Sequence, residues 1–290
     1  MRKFRKILFS WLGLAILFLI FVFTISISVH AATTPSLGAA ATYGVLAGTF
    51  TNTSATTTVN GDIGFTTGPA TVPLGVHTNY GSGAPTPTAR IDAANALNAL
   101  NAESCDFNFG SVTDLSLLAQ PLVPGVYCIA AAASIGTGGI TLNGAGTYIF
   151  RITGALTTTN NSIVTLTGGA SASDVFWTPT AATTLGANTE FKGTIIDNAN
   201  AITAGSDTVW VGRAISLGAG TVTTDTNTIT VPTTLRVTKT VVNDNGGTKV
   251  IADFPLFIDG SGVTSGVVNT TTAGLHTVSE TADAGYTTVI

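Results

Sequence analysis

A short strand-like segment repeats at nearly constant spacing through the middle of the chain, and this repeat limits the fold more than any other feature. Phe191, Trp210 and Ile229 recur at one constant interval, and Gly193 and Gly212 are separated by the same interval. Val, Ile, Thr and Phe dominate the segments, and Gly, Asn and Asp lie between them, which favours strands joined by turns. Units this short cannot bury an apolar side alone and do so by stacking. The sequence therefore predicts a β-helix, a solenoid of stacked coils.

Charged residues are scarce in this chain. Asp, Glu, Lys and Arg make up 9% of its 290 residues, whereas Thr accounts for about a fifth of residues 33–230. Low charge combined with ample apolar residues argues against a disordered chain. The formal net charge is −4, and four of the 11 basic residues lie within the first six positions, which leaves seven against 15 acidic residues. The sequence contains no basic patch that would hold nucleic acid.

Residues 1–31 have the pattern of a secretory signal peptide. A basic start, MRKFRK, precedes an apolar run, and VHA at 29–31 provides a small-residue cleavage site. Residues 7–29 are also long enough to cross a bilayer, so a retained membrane anchor is the alternative. Under either interpretation the rest of the chain is expected outside the cytoplasm, secreted or at the cell surface. The leader or the C-terminal part could then associate it with the cell envelope.

One stretch of the exported part has the pattern of a long α-helix. Thr86 is a suitable N-cap, and Pro87 suits the first helical position. A narrow stripe of small and apolar residues would permit close approach to a sheet, so we expect the helix to lie along the side of the coils. The stripe consists of Ala89, Ala93, Ala96, Leu97 and Leu100.

Cys105 and Cys128 are the two cysteines of the chain. An even number of cysteines in an exported protein favours a disulfide, which would tie the end of the helix to the strand PGVYCI. A bridge that closes a loop of this length stabilises a fold by roughly 3 kcal/mol. Two buried free thiols are the alternative. A metal site is not expected here, because no histidine lies nearby in the sequence.

The sequence divides into three parts: the leader 1–31, a β-helix domain 32–232 and a C-terminal part 233–290. The last part alternates in period two and contains a DNGG hairpin signal, which indicates an antiparallel β module. Roughly four strands are recognisable, whereas an immunoglobulin-like sandwich needs about seven. We therefore expect a small, truncated antiparallel β-sandwich module, either incomplete in itself or part of a longer protein.

Seven stretches occur in the order typical of a known family: TNTSATTTVNGDIG (51–64), VPGVYC (123–128), ITLNGAGTYIFRITGALTT (140–158), DVFW (174–177), TLGANTEFKGTI (184–195), VGRAISL (211–217) and TVTTDTNTI (221–229). By these stretches, residues 36–232 resemble the bacterial, fungal and algal ice-binding protein family. The resemblance implies a discontinuous right-handed β-helix with a long helix alongside, in which the coil 51–64 lies beside the C-terminal coils. It also implies an exported protein that binds ice, although some members are assigned to surface adhesion.

The tail from Leu235 has a weaker likeness. Its stretches RVTKTVVNDNGG and HTVSE are similar to prealbumin-like or collagen-adhesin-B-like surface modules.

Stacked coils give a physical basis for binding ice. Coils lie about 4.7–4.9 Å apart, so outward side chains at equivalent positions form straight ladders. On a flat face, threonine methyls and hydroxyls would then form a lattice that orders water without any pocket. The interval that separates Phe191 from Trp210 leads from Thr203 to Val222 and not to Thr223. Alignment of Thr203 with Thr223 therefore needs one inserted residue in the last turn. The predicted ice-binding face consists of Thr157, Thr159, Thr184, Thr203, Thr221 and Thr223.

Two considerations weigh against this assignment. Threonine is common on any exposed β surface because it is β-branched and polar, so a single threonine indicates little. Asp207, Asp225, Glu190 and Lys192 would also bring charge close to the predicted face unless they lie at turns. A surface adhesin that binds glycan or protein through the same face is therefore the alternative function.

An enzyme is not expected, although β-helices also carry lyases and esterases. His30, His77 and His276 are scattered through the leader, a loop and the tail, and no catalytic group of side chains is recognisable. Asp174 and Asp197 fall at similar points of successive repeats and could together bind Ca²⁺. We prefer turn capping by each carboxylate, so no cofactor, metal or small-molecule substrate is expected.

Overall fold

The computed structural model describes residues 32–244, 246–271 and 276–289, and the predicted leader lies outside these described residues. The described residues belong to one compact unit. They contain one α-helix, α1 (Thr86–Ala102), and none of their helices is long and apolar enough to span a membrane. The strands in chain order are β1 (Tyr43–Leu46), β2 (Thr49–Asn52), β3 (Thr58–Asn60), β4 (Asp62–Gly64), β5 (Asn79–Tyr80), β6 (Phe107–Phe109), β7 (Thr113–Asp114), β8 (Gly125–Ile129), β9 (Ala133–Ile135), β10 (Ile140–Asn143), β11 (Tyr148–Ile152), β12 (Leu156–Thr158), β13 (Val164–Thr167), β14 (Val175–Pro179), β15 (Thr183–Leu185), β16 (Glu190–Asp197), β17 (Ile202–Ala204), β18 (Val209–Ser216), β19 (Thr221–Thr224), β20 (Thr228–Thr230), β21 (Thr233–Arg236), β22 (Leu256–Ile258), β23 (Ser261–Val263), β24 (Val268–Thr271) and β25 (Val278–Glu280).

The strands up to β20 stack into coils with three faces, and each face is a parallel sheet. The helix face contains β5, β4, β1, the C-terminal halves of β18 and β16, then β14, β11, β8 and β6. The threonine face contains β2, β19, β17, β15, β12, β9 and β7, in that order. The third face contains β3, β20, the N-terminal halves of β18 and β16, β13 and β10. Consecutive parallel strands on three faces make the predicted β-helix.

The pairing register confirms the repeat found in the sequence. Phe191 pairs with Trp210, and Trp210 pairs with Ile229. Gly193 likewise pairs with Gly212. The shared period therefore reflects equivalent positions in neighbouring coils.

The order of coils along the solenoid differs from the order in the chain. Thr51 on β2 pairs with Thr223 on β19, and Val59 on β3 pairs with Ile229 on β20. The N-terminal coil thus lies directly on the last coil of the domain. This junction confirms the discontinuous arrangement that the resemblance implied.

Aromatic side chains stack through the interior from one coil to the next. Ring centroids of Phe107 and Tyr127 lie 4.5 Å apart, and those of Phe150 and Trp177 lie 4.0 Å apart with nearly parallel planes. The stack continues through Phe191, which lies 5.2 Å from Trp177. Offset and stacked aromatic pairs add to the burial energy of the rings, so this column fixes the register of the coils.

Helix α1 packs along the helix face, as predicted. Ala89, Ala93, Ala96 and Leu100 are buried there, whereas Leu97 is partly buried. They contact outward side chains of the helix face, including Ile149, Phe176 and Ile196. The predicted cap is wrong, because the helix begins at Thr86 itself and no side chain caps it.

A disulfide joins Cys105 to Cys128 across 23 residues. Cys105 follows α1, and Cys128 lies on β8. The bridge therefore ties the end of the helix to the coil at which it arrives, as predicted.

The described part of the tail is antiparallel, in agreement with its period-two pattern. β21 pairs with β24, and β22 pairs with both β23 and β25. Lys239 Nζ lies 2.6 Å from Glu280 Oε2 and 4.6 Å from the ring centroid of Phe254. Within the described residues these contacts form a small polar and aromatic cluster.

Candidate functional site

A column of threonines runs along the centre of the threonine face. Its members are aligned by the pairing of β2, β19, β17, β15 and β12, and the column continues with a serine and an aspartate on β9 and β7. In spatial order the column consists of Thr51, Thr223, Thr203, Thr184, Thr157, Ser134 and Asp114.

The strands alternate strictly around this column. Phe50, Val222 and Ile202 precede the first three threonines of the column and are buried in the core. Thr51, Thr184 and Thr157 are exposed, and Thr203 and Thr223 are partly exposed. Because side chains point to opposite faces in turn, burial of one set directs the threonines outward.

In the first six coils the column has small neighbours on one side, whereas in the last coil exposed Val112 lies beside Asp114. The residue two positions earlier on each strand is Thr49 or Thr221 in the first two coils. In the next four coils that residue is alanine: Ala201, Ala182, Ala155 and Ala132. Neighbouring side chains of similar, small size make this part of the face flat. Helix α1 packs on a different face and leaves the column uncovered.

The inserted residue that the alignment required is absorbed at the corners. Asp197 and Ser216, which are paired, are as far apart in the sequence as Phe191 and Trp210. Ile202 and Val222 are also paired, but they are one residue further apart. The next pair on the third face, Val209 with Thr228, returns to the original interval. One corner gains a residue and the following corner loses one. Thr223 therefore stays in line with Thr203.

The corner between the threonine face and the third face has the same backbone conformation in four coils. Its residues have positive φ angles: 60° at Asn161, 54° at Asn188, 57° at Asp207 and 56° at Thr226. Buried polar side chains follow them and bond to corner carbonyls; for example, Thr208 Oγ1 donates to Gly205 O over 2.7 Å. Because this turn recurs, the strands of the threonine face end at equivalent positions in successive coils, which keeps the face regular.

The six threonines predicted from the sequence do not occupy equivalent positions. Thr157, Thr184, Thr203 and Thr223 form part of the central column, and Thr221 lies beside it. Thr159 lies at the corner beyond β12, and its Oγ1 shares a 3.0 Å hydrogen bond with Ser162.

Sequence reasoning missed Thr49, Thr51 and Ser134. The first two are in the stretch TFTN, whose alternation around Phe50 was a usable signal. Ser134 similarly alternates with buried Ala133 and Ile135.

The four charged residues that the sequence placed near the predicted face do not belong to its central column. Asp207 and Asp225 are at the corner, where Asp225 Oδ2 accepts from Ser206 Oγ over 3.2 Å. Glu190 and Lys192 lie on the N-terminal half of β16, on the third face. The carboxylate within the column is Asp114, at its far end, where Oδ1 accepts from the backbone N–H of Ser116 over 2.9 Å.

The idea of a calcium site at Asp174 and Asp197 is wrong. Trp177 pairs with Ile195, and Asp174 precedes this pair whereas Asp197 follows it, so the carboxylates lie at opposite ends of the strands. Asp197 is buried, and its Oδ1 accepts from the backbone N–H of Asn200 over 2.9 Å, which is the predicted turn capping. Among the described residues, no group of three potential metal ligands occurs.

The two described histidines lie in different parts of the chain and have different partners. His77 Nδ1 lies 3.1 Å from the carbonyl oxygen of Val59 in a loop, and His276 Nδ1 lies 2.6 Å from Asp259 Oδ2 in the tail.

A discontinuous parallel β-helix, a single flanking helix and a flat row of small hydroxyl-bearing side chains define a class of solenoid proteins that present a regular surface. Residues 45–230 match the family described as Ice-binding-like, and the chain belongs to this family.

Relatives with known names support this assignment. An ice-binding protein of Nostoc sp. (strain HG1) is 31% identical over 207 residues, which cover 69% of this chain and 75% of the relative. An ice-binding protein of Flavobacterium frigoris (strain PS1) is 33% identical over 48% of each chain.

Solved structures share the same fold. An ice binding protein from an Antarctic biological consortium superposes with a TM-score of 0.64 at 29% identity, over 71% of this chain and 95% of the other. The ice-binding protein of the Antarctic ascomycete Antarctomyces psychrotrophicus gives a TM-score of 0.61 at 32% identity, over 69% and 98% of the two chains.

Proposed function

We propose that this protein adsorbs to ice through the threonine face. The observation that carries the proposal is the central column, in which five threonines from five coils follow one another in register, with small side chains beside them. The family to which the chain belongs, and the ice-binding proteins it resembles, support the same assignment.

The chemistry of the column fits such a role. Its hydroxyls repeat about every 4.7–4.9 Å, the distance between hydrogen-bonded strands. Each threonine also presents a methyl group, which holds water less tightly than a charge does. A row of this kind would order the adjacent water into an ice-like layer that merges with a crystal. Adsorbed protein would then slow the growth and recrystallisation of ice.

Under this proposal the protein acts by adsorption, without a chemical step. Binding to a crystal face needs a rigid repeated surface rather than convergent acids and bases. The stacked core and the recurring corner supply that rigidity. We further propose that the protein is exported by its leader, and that residues 233–290 form a surface module that can associate it with the cell envelope.

The test measures thermal hysteresis and recrystallisation inhibition of residues 32–290. The variant Thr203→Tyr places a bulky ring in the middle of the column, directly beside Thr223, and should abolish most of both activities. Its matched control is Thr165→Tyr, which makes the same change at an exposed threonine on the third face and should leave both activities nearly intact. Equal activity of wild type and Thr203→Tyr would contradict the proposal. Glycan binding without any effect on ice would instead identify the adhesin alternative.

A further inference from the structure

Five threonines meet where the two ends of the domain join. Thr49 pairs with Thr221, and Thr51 pairs with Thr223, on adjacent strands β2 and β19. Thr67 forms the next bridge beyond Thr49. Three of these residues come from the start of the domain and two from its end. We call this set, Thr49, Thr51, Thr67, Thr221 and Thr223, the junction patch.

The junction patch differs from the rest of the threonine face in having two hydroxyl columns side by side. Thr67, Thr49 and Thr221 form one column, and Thr51 and Thr223 begin the other. Further along the face the first column changes to alanine, at Ala201, Ala182, Ala155 and Ala132. There the hydroxyls continue in single file.

A crystal surface repeats in two directions, and this distinguishes the two regions. A single column fixes water positions along the solenoid axis, with one hydroxyl about every 4.7–4.9 Å. Alternate residues of a strand lie about 7 Å apart, so paired columns also fix water positions across the face. Only side chains arranged in both directions can match the lattice of an ice plane in both directions.

From this geometry we infer that the junction patch makes the decisive contact with ice, and that the single file from Thr203 to Thr157 extends it. The inference rests on the proposed function of the threonine face. It specifies which part of the face contributes most. The main ice-contacting surface consists of residues from both ends of the domain, and the contribution to ice binding decreases toward Ser134 and Asp114.

The first experiment compares two identical substitutions in the same column. Thr51 and Thr157 are both exposed and lie at opposite ends of the threonine row. Thr51→Tyr should lose most of the thermal hysteresis, whereas Thr157→Tyr should retain more than half of it. Circular dichroism and thermal unfolding would establish that both variants are folded. Equal losses would overturn the inference, although they would still support ice binding by the face.

The second experiment adds or removes hydroxyl groups by small substitutions, and circular dichroism would establish that each variant is folded. Thr49→Ala combined with Thr221→Ala replaces two hydroxyls of the second column by alanine, the residue found at the equivalent positions of the next four coils. This double variant should have strongly reduced hysteresis. Ala182→Thr combined with Ala201→Thr extends the second column at two exposed positions and should increase hysteresis. Unchanged hysteresis in both double variants would overturn the inference. Absence of ice activity in the wild type would instead refute the proposed function itself.

Discussion

Thr224 Oγ1 donates a buried hydrogen bond of 3.1 Å to Oδ1 of Asn52, a residue 172 positions earlier in the chain. The Nδ2 group of Asn52 donates in turn to the carbonyl oxygens of Ser54, over 2.7 Å, and Thr71, over 3.0 Å. One side chain thus connects the last coil to the first two coils at the junction.

Asn52→Ala should therefore weaken the junction. The substitution removes one buried hydrogen bond, from Thr224, and two partly buried ones, to Ser54 and Thr71. Their loss should lower the free energy of unfolding by about 2–4 kcal/mol. Chemical denaturation would measure the change. Asn143→Ala is the control, because Asn143 lies partly exposed on the third face and accepts a 3.0 Å bond from Thr167 Oγ1. A loss equal in both variants would show that the junction has no special dependence on Asn52.

Thr226→Asn should stabilise the protein. Thr226 has a φ of 56°, a left-handed conformation that a β-branched residue adopts at a cost, whereas the equivalent residues Asn161 and Asn188 tolerate it. The amide oxygen of asparagine can also replace Thr226 Oγ1 as acceptor for the backbone N–H of Asp207, a bond of 2.9 Å. We expect the free energy of unfolding, measured by thermal unfolding, to increase by about 0.5–1 kcal/mol. The reverse change, Asn188→Thr, should destabilise by a similar amount, and a gain there would contradict the explanation.

Reduction of the disulfide should lower stability without removing ice activity. The bridge between Cys105 and Cys128 closes a loop of 23 residues, so its loss should cost roughly 3 kcal/mol. The double variant Cys105→Ser, Cys128→Ser and the reduced wild type should unfold at the same lowered temperature. Both should retain hysteresis near 0 °C, since the bridge lies beside the helix face. Loss of hysteresis in a variant that is still folded would show that the bridge shapes the threonine face.

Acid should loosen the tail. The hydrogen bond from Lys239, followed by that from Thr288, lowers the pKa of Glu280 below its ordinary value of 4.5. A carboxylate with a depressed pKa contributes stability that is present above its ordinary pKa and is lost as the pH falls through its folded value. Hydrogen exchange in β22 and β25, corrected for intrinsic rates, should therefore accelerate below about pH 4.5. Glu280→Gln should exchange faster at neutral pH and lose part of this dependence. The remainder should come from Asp259, which follows β22 and whose pKa is lowered by hydrogen bonds from His276 and Thr277. Asp244→Asn should retain the full dependence.

Asp225→Asn should raise ice activity. Asp225 lies at the corner just beyond Thr223 and accepts a hydrogen bond from Ser206 Oγ. A charged carboxylate binds water strongly, and we expect that water not to fit an ice lattice next to the column. The amide keeps an oxygen that can accept from Ser206 Oγ, so the corner should remain folded. Thermal hysteresis would measure the gain, with Asp244→Asn in the tail as a charge-matched control. An unchanged value would place Asp225 outside the contact with ice.

The stacked fold could be predicted because the core imposes it on the sequence. Phe191, Trp210 and Ile229 occupy one interior column, and large apolar side chains at equivalent heights must recur at the coil length. The helix could also be predicted, because close packing on the helix face requires small residues such as its alanines.

The candidate surface was only partly predictable. Period alone cannot reveal that β2 pairs with β19, because the two strands belong to opposite ends of the domain. Thr51 was therefore missed, although the family resemblance implied the junction itself. Asp174 and Asp197 were placed at similar points of successive repeats, but the pairing of Trp177 with Ile195 puts them at opposite ends of their strands. Alignment by strand motifs, in contrast, located Thr184 and Thr203 correctly in one column. Assignment of these threonines to ice contact remains a prediction.

The compensation between two corners of the last coil, where one gains a residue and the next loses one, has an evolutionary implication. Insertions and deletions can accumulate at bends while the strands between them keep their alignment. The length of a bend can then change when the next bend compensates for it, and duplication or deletion of a whole coil would change the extent of the threonine column without altering its spacing. The surface can therefore be lengthened or shortened in evolution by whole coils.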